Sequence, residues 1–121
     1  MFIRYKKSFE KIAMGLLSFM PESKDVKKLQ EIVREYETNS NWQLFLWKEE
    51  DILGAIGVRI EGNEAIIQHV SVNPSHRNLG IGKKMYSHVC NHFEKEYLVC
   101  SDEYTESFLE KCEMESSSSN V

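Results

Sequence analysis

The chain has 121 residues, 41% hydrophobic and 28% charged, with a formal net charge of −4. That length bounds one compact domain with a single hydrophobic core, and an acidic balance argues against a general nucleic-acid partner, which would need a basic stripe. Arg4, Lys6, Lys7, Glu10 and Lys11 interrupt the first twenty residues, so neither a secretory leader nor a membrane span is expected there.

Phe2 to Lys6 reads as a first strand. Phe9, Ile12, Ala13, Leu16, Leu17 and Met20 then recur at helical spacing until Pro21 closes the helix. A second helix starts near Ser23 or Asp25, with Val26, Leu29, Ile32, Val33 and Tyr36 on one face and charged residues elsewhere. After the loop Thr38-Asn39-Ser40-Asn41 the period becomes that of strands. Gln43 to Lys48 forms one, and the acidic turn Glu49-Glu50-Asp51 leads into another carrying Ile52, Ile56, Val58 and Ile60. Gly54 and Gly57 within it hint at a bulge or a close backbone approach. Glu61-Gly62-Asn63 is a hairpin connection, and Glu64 to Val72 is the next strand. Strict alternation puts Ile66, Val70 and Val72 on one face and Ala65, Ile67, His69 and Ser71 on the other. Both faces are largely apolar, as in a central strand covered on each side.

Ile81, Met85, Val89 and Phe93 give a third helix its buried stripe. Tyr97 to Cys100 reads as a short strand and Thr105 to Cys112 as a last short helix. Residues 1–114 thus form one domain, and the Ser-rich stretch 115–121 is expected to be disordered. The three cysteines, Cys90, Cys100 and Cys112, are odd in number and lack metal-ligand spacing, which suits reduced thiols of a cytoplasmic protein. His88 and His92 stand four apart, but no H-E-x-x-H accompanies them, so an ordinary helix face is expected and no metal. Trp42, Phe45 and Trp47 at strand spacing read as core or pocket wall.

The chemistry concentrates between Val70 and Lys84. A strand ends, a turn follows, and two glycines, Gly80 and Gly82, precede a helix. Glycine lets a backbone approach a ligand closely, and a helix start presents unpaired N–H groups and a positive dipole end to an anion. His76, Arg77, Lys83 and Lys84 surround that loop with cationic or protonatable groups. A phosphate is the ligand this arrangement suits; the bland alternative is a tight turn that merely packs a helix on a strand. Neither G-x-G-x-x-G nor G-x-x-x-x-G-K-[ST] is present.

What is present, Arg77-x-x-Gly80-x-Gly82 after Val70-x-Val72-x-Pro74, resembles the pyrophosphate loop of the GNAT acyltransferase superfamily. The resemblance implies an α/β fold with a mixed sheet in the order β-α-α-β-β-β-α-β-α, which matches the elements read above, with the closing C-terminal strands short or absent. It implies acetyl-CoA as co-substrate and direct transfer to a small-molecule amine, by a monomer or homodimer without nucleic-acid or membrane partners. Val70, Ser71 and Val72 would meet the pantetheine arm, and backbone N–H groups of Asn78, Leu79, Gly80, Ile81, Gly82 and Lys83 would hold the pyrophosphate, with Arg77 shaping the entry of the loop. Residues 4–21, 43–49 and 71–77 are also similar to RibT-like proteins of bacterial riboflavin operons, which implies a link to flavin synthesis.

For the base, the resemblance points to Glu64 near the start of its strand, while His69 is chosen for a near-neutral intrinsic pKa of about 6.5; Glu50 ranks below both. Each has a plain structural reading, a solvated acid or a packed strand histidine. Leu109 stands where many relatives place the tyrosine that protonates the departing thiolate, so Tyr104 is the substitute considered for the acid. A non-catalytic acyl-CoA-binding or regulatory module on the same fold is the alternative to an enzyme.

Overall fold

A computed structural model describes residues 1–20, 25–77 and 79–119, the side chains of 114–119 excepted. Among the described residues, five strands form one sheet in the order β1-β2-β3-β4-β5. They are β1 (Phe2–Arg4), β2 (Trp42–Lys48), β3 (Ile52–Glu61), β4 (Glu64–Val72) and β5 (Leu98–Ser101). Neighbours are antiparallel except β4 and β5, which are parallel and joined through a helix. Helices α1 (Glu10–Leu17) and α2 (Val26–Thr38) cover one face, and α3 (Ile81–Phe93) and α4 (Glu106–Ser119) the other. The mixed sheet and element order are those the sequence implies.

Local chemistry explains the boundaries. Asp25 caps α2 by accepting from the Lys27 amide at 3.0 Å, whereas the expected stop at Pro21 and start at Ser23 lie outside the described residues. Gly62 adopts φ +57° in the tight β3–β4 hairpin. α4 continues past the expected end at Cys112 to Ser119, because no glycine or proline interrupts it. Residues 115–119 of the Ser-rich stretch therefore extend that helix, and Asn120 and Val121 lie outside the described residues.

One expectation is corrected. The β3–β4 register pairs Gly57 with His69 but Val58 with Ile67, leaving Gln68 as an extra residue. This bulge reverses the alternation beyond it. Ala65 and Ile67 consequently pack toward α3 together with Val70 and Val72, not opposite them. Gln68, His69 and Ser71 turn toward α1 and α2: Gln68 and His69 meet Tyr36, and the Ser71 hydroxyl donates to the Leu16 carbonyl. Among the described residues, no helix is long and apolar enough to cross a membrane.

Candidate functional site

β5 accompanies β4 only from Glu64 to Ile67. At that point the two strands part. The Ile67 carbonyl accepts from the Thr105 hydroxyl at 2.5 Å and from the Asp102 amide at 3.4 Å. The Asp102 carboxylate in turn accepts from the amides of Tyr104 and Thr105, at 2.9 and 3.1 Å. These bonds turn the chain out of β5 and into α4, so the strand does not continue alongside β4. Beyond the fork, the outer edge of β4 has no strand partner among the described residues. The Asn73 amide bonds the Leu53 carbonyl on β3, so by alternation the backbone groups of Val70 and Val72 face that open edge.

The parted strands and the N-terminus of α3 enclose a cleft of about 970 Å³. Val70, Ser71, Val72, Arg77, Gly80, Ile81, Gly82 and Lys83 all line it. Of the other residues expected there, Leu79 is 61% exposed and does not line the cleft, and Asn78 lies outside the described residues. Gly80 has φ +77°, and nothing stands within 4 Å of where a Cβ would sit. Among the described residues no side chain caps α3, so its first-turn amides offer hydrogen-bonding capacity to a ligand. Arg77 bridges loop and strand, its Nε donating to the Val72 carbonyl at 3.4 Å. A Cβ on Gly82 would crowd Phe108, lying 3.0 Å from its Cε1, so glycine there lets Phe108 pack close over the start of α3. Gly54 lets α3 approach the sheet, a Cβ there falling 3.1 Å from Met85.

These features suit a diphosphate ligand with an extended arm. First-turn helix amides without a side-chain cap among the described residues, a left-handed glycine with open space at its Cβ position and two cations stand at one end, and a strand edge without a strand partner among the described residues runs from it. Phe19, Met20, His76, Tyr104, Phe108, Lys111 and Cys112 complete the wall. Of these, Phe19 and Met20 carry no local sequence signal. They reach the cleft only through the fold of α1 against Ser71.

The expected proton carriers are dispersed. Glu64 sits at the opposite end of β4, where it accepts from the Cys100 thiol at 3.6 Å and does not line the cleft. Glu50 is exposed in the β2–β3 turn. Tyr104 does line the cleft and is 59% exposed. Leu109 belongs to the core.

His69 is 7% exposed and lies behind the cleft wall. Its Nδ1 is 2.5 Å from the Tyr36 hydroxyl, and Gln68 Nε2 donates to that hydroxyl at 2.9 Å. Arg59 Nη1 donates to Gln68 Oε1 at 2.8 Å. Arginine can only donate, so it orients the Gln68 amide; the Tyr36 oxygen is thereby an acceptor from Gln68 and its hydrogen goes to His69. The ring is then the neutral Nε2–H tautomer. Burial lowers its pKa to about 4, with Asp102 and Arg59 acting in opposite directions. Burial likewise raises the Tyr36 phenol far above its ordinary value. A Cβ on Gly57 would overlap the Tyr36 hydroxyl, at 1.9 Å, so glycine there makes room for the network.

His88 and His92 pack against aromatic rings instead of converging on a metal. His88 stacks on Phe2 at 5.0 Å, and His92 meets Phe45 edge-on at 5.5 Å. Among the described residues, no group of three or more His, Cys, Asp or Glu side chains is placed to hold a metal ion.

Comparison with known proteins gives a consistent picture. A profile described as the acetyltransferase (GNAT) family matches residues 9–114. An uncharacterized N-acetyltransferase from the lysA 3′ region of Bacillus methanolicus is 56% identical over 116 residues, spanning 94% of this chain and 96% of its own length. Among solved structures, aminoglycoside N-acetyltransferase AAC(6′)-Iy in complex with CoA is similar with a TM-score of 0.73, at 14% identity over 92% of this chain and 81% of the other. GCN5 of Tetrahymena is similar with a TM-score of 0.72, at 12% identity over 93% and 77%. At such identities the structural likeness speaks for the fold alone.

Proposed function

The chain belongs to the GNAT acetyltransferase family, and from that premise we propose that it transfers an acetyl group from acetyl-CoA directly to the nitrogen of a small amine. The observation that carries this reading is the fork: β4 parts from β5 at Ile67 beside the N-terminus of α3, whose lead-in residue, Gly80, has φ +77°. The amides of Ile81, Gly82 and Lys83, with Arg77, would bind the diphosphate. Val70 and Val72 would pair with the pantetheine arm as an added strand does.

Transfer forms the N–C bond and breaks the C–S bond; the nitrogen loses a proton and the sulfur gains one. The chain contributes position, exclusion of water and electrostatics. His69 does not serve as a base within the cleft, because its Nδ1 is held by Tyr36 behind the wall. Glu64 lies beyond reach at the far end of β4. The amine therefore enters as the free base and gives its proton to water, and Tyr104, lining the cleft, protonates the departing thiolate. The similarity to RibT-like proteins supports a role connected with flavin synthesis; an unchanged riboflavin yield in a strain lacking the protein would remove that connection.

A non-catalytic CoA-binding role is the second reading. It is favoured by Leu109, an aliphatic core residue at the position where the family resemblance places an acid. Calorimetric titration with acetyl-CoA, followed by a thiol-release assay over an amine panel, separates the readings. Binding with amine-dependent release supports transfer, and binding without release on any amine supports the second reading. No binding at millimolar acetyl-CoA ends both.

A further inference from the structure

The cleft is chemically lopsided. Arg77 and Lys83 stand at the α3 end and Lys111 faces it from α4, yet no Asp or Glu is among the described residues that line it. Much of the remaining wall is apolar, and two large aromatic side chains there remain open to solvent. Phe19 is 46% exposed and Tyr104 is 59% exposed. Phe19 and Met20 follow α1, which the Ser71 hydroxyl ties to β4 through the Leu16 carbonyl. Tyr104 stands beside the fork, its amide held by Asp102, and Phe108 lies one helical turn farther on, over Gly82.

An acceptor meets this wall after the diphosphate has matched the cations at the α3 end. A polyamine or aminosugar with several ammonium groups would bring positive charges into a site with no carboxylate among the described lining residues, and a desolvated unpaired charge is costly. A body that covers exposed aromatic faces gains by removing apolar surface from water. The same surroundings lower the pKa of an entering amine, because desolvation disfavours its charged form. An apolar monoamine thus arrives as the nucleophile without a protein base.

We propose that the acceptor is a primary monoamine with an apolar, aromatic body, seated against Phe19, Met20 and Tyr104. The inference rests on the acetyl-transfer reading and specifies its substrate class. In the step, the neutral amine attacks the thioester carbonyl, its extra proton passes to water, and the thiolate leaves and is protonated. The products are one N-substituted acetamide and one CoA thiol.

The test uses the full chain with saturating acetyl-CoA and follows thiol release with 2-phenylethylamine, tryptamine, spermidine, kanamycin and glucosamine 6-phosphate. In parallel, saturation-transfer NMR measures binding of 2-phenylethylamine to the CoA complex. The aromatic monoamines are expected to exceed spermidine and kanamycin at least tenfold in kcat/KM. Phe19→Glu, a change at a half-exposed side chain, is expected to cut the aromatic rate at least fivefold and to raise spermidine turnover. Leading turnover with a polycation or with the phosphorylated aminosugar overturns the inference while leaving acetyl transfer intact. CoA binding with neither turnover nor binding of the aromatic amine also overturns it. Failure to bind CoA removes the acetyl-transfer reading on which it depends.

Discussion

Tyr36→Phe tests the buried relay behind the cleft. The substitution keeps the ring and its packing but removes the oxygen that serves both Gln68 and His69. Gln68 and His69 are 4% and 7% exposed, so water replaces the lost partner poorly. An unsatisfied buried polar group costs about 1–3 kcal/mol, partly offset because the phenol no longer has to be desolvated. Two such groups give an expected net loss of about 2–4 kcal/mol. For a domain of this size each kcal/mol shifts Tm by roughly 3–6 °C, so a drop on the order of 10 °C is expected. Urea unfolding with an unchanged slope would assign the loss to stability alone. Nitrogen-15 NMR of the His69 ring supplies a readout independent of stability: Nε2–H in the native protein, a mixture of tautomers in Tyr36→Phe. A loss below about 0.5 kcal/mol, or a native ring protonated on Nδ1, would refute the direction drawn for the hydrogen bonds.

Stability should also depend on His69 protonation. Its native pKa of about 4 lies below the unfolded value of 6.5, so the unfolded chain binds more protons between them. The native state is fully favoured above pH 6.5 and loses up to about 3 kcal/mol as the pH falls toward 4; the difference between the unfolding curves of the native protein and a folded His69→Gln variant isolates this term. Gly80→Val forces a β-branched side chain into φ +77° in the proposed diphosphate loop, so CoA affinity should fall at least tenfold by calorimetry, and unchanged affinity would remove the loop from the proposed site. Glu64→Gln should leave kcat/KM within twofold of the native value, since its carboxylate bonds Cys100 away from the cleft; a loss of a hundredfold would restore it as a base.

The loop proposed to hold the diphosphate could be picked out of the sequence because its physics is local: a glycine before a helix, with Arg77 and Lys83 each three residues away, suits an anion whatever surrounds it. The acceptor end could not. Phe19 and Met20 read as the last turn of an amphipathic helix, and only the packing of α1 against β4 brings them to the cleft. Leu109 illustrates the intermediate case: its departure from the family pattern was visible, whereas its burial in the core required the orientation of α4.

The bulge at Gln68 shows why pattern reading misplaced His69. Period-two alternation through Ile66-Ile67-Gln68-His69-Val70 assigns His69 to the side of Ile67, and nothing in that strand alone contradicts it. The clue lay on the neighbouring strand, where Gly57 leaves space beside its cross-strand partner His69. The space is filled by the Tyr36 hydroxyl, donated by a helix more than thirty positions away. One inserted residue thus does two things at once. It sends the polar pair Gln68 and His69 into a satisfied network on the α2 side, and it keeps Val70 and Val72 facing α3 beyond the point where β5 departs. Without the bulge, the strand edge bordering the cleft would carry His69 and Ser71 on the α3 face. Val70 and Val72 would then face away from α3, the helix proposed to bind the diphosphate. Gln68 and His69 thus stand where the register changes, and the lining of the cleft by Val70 and Val72 depends on that change more than on the histidine itself.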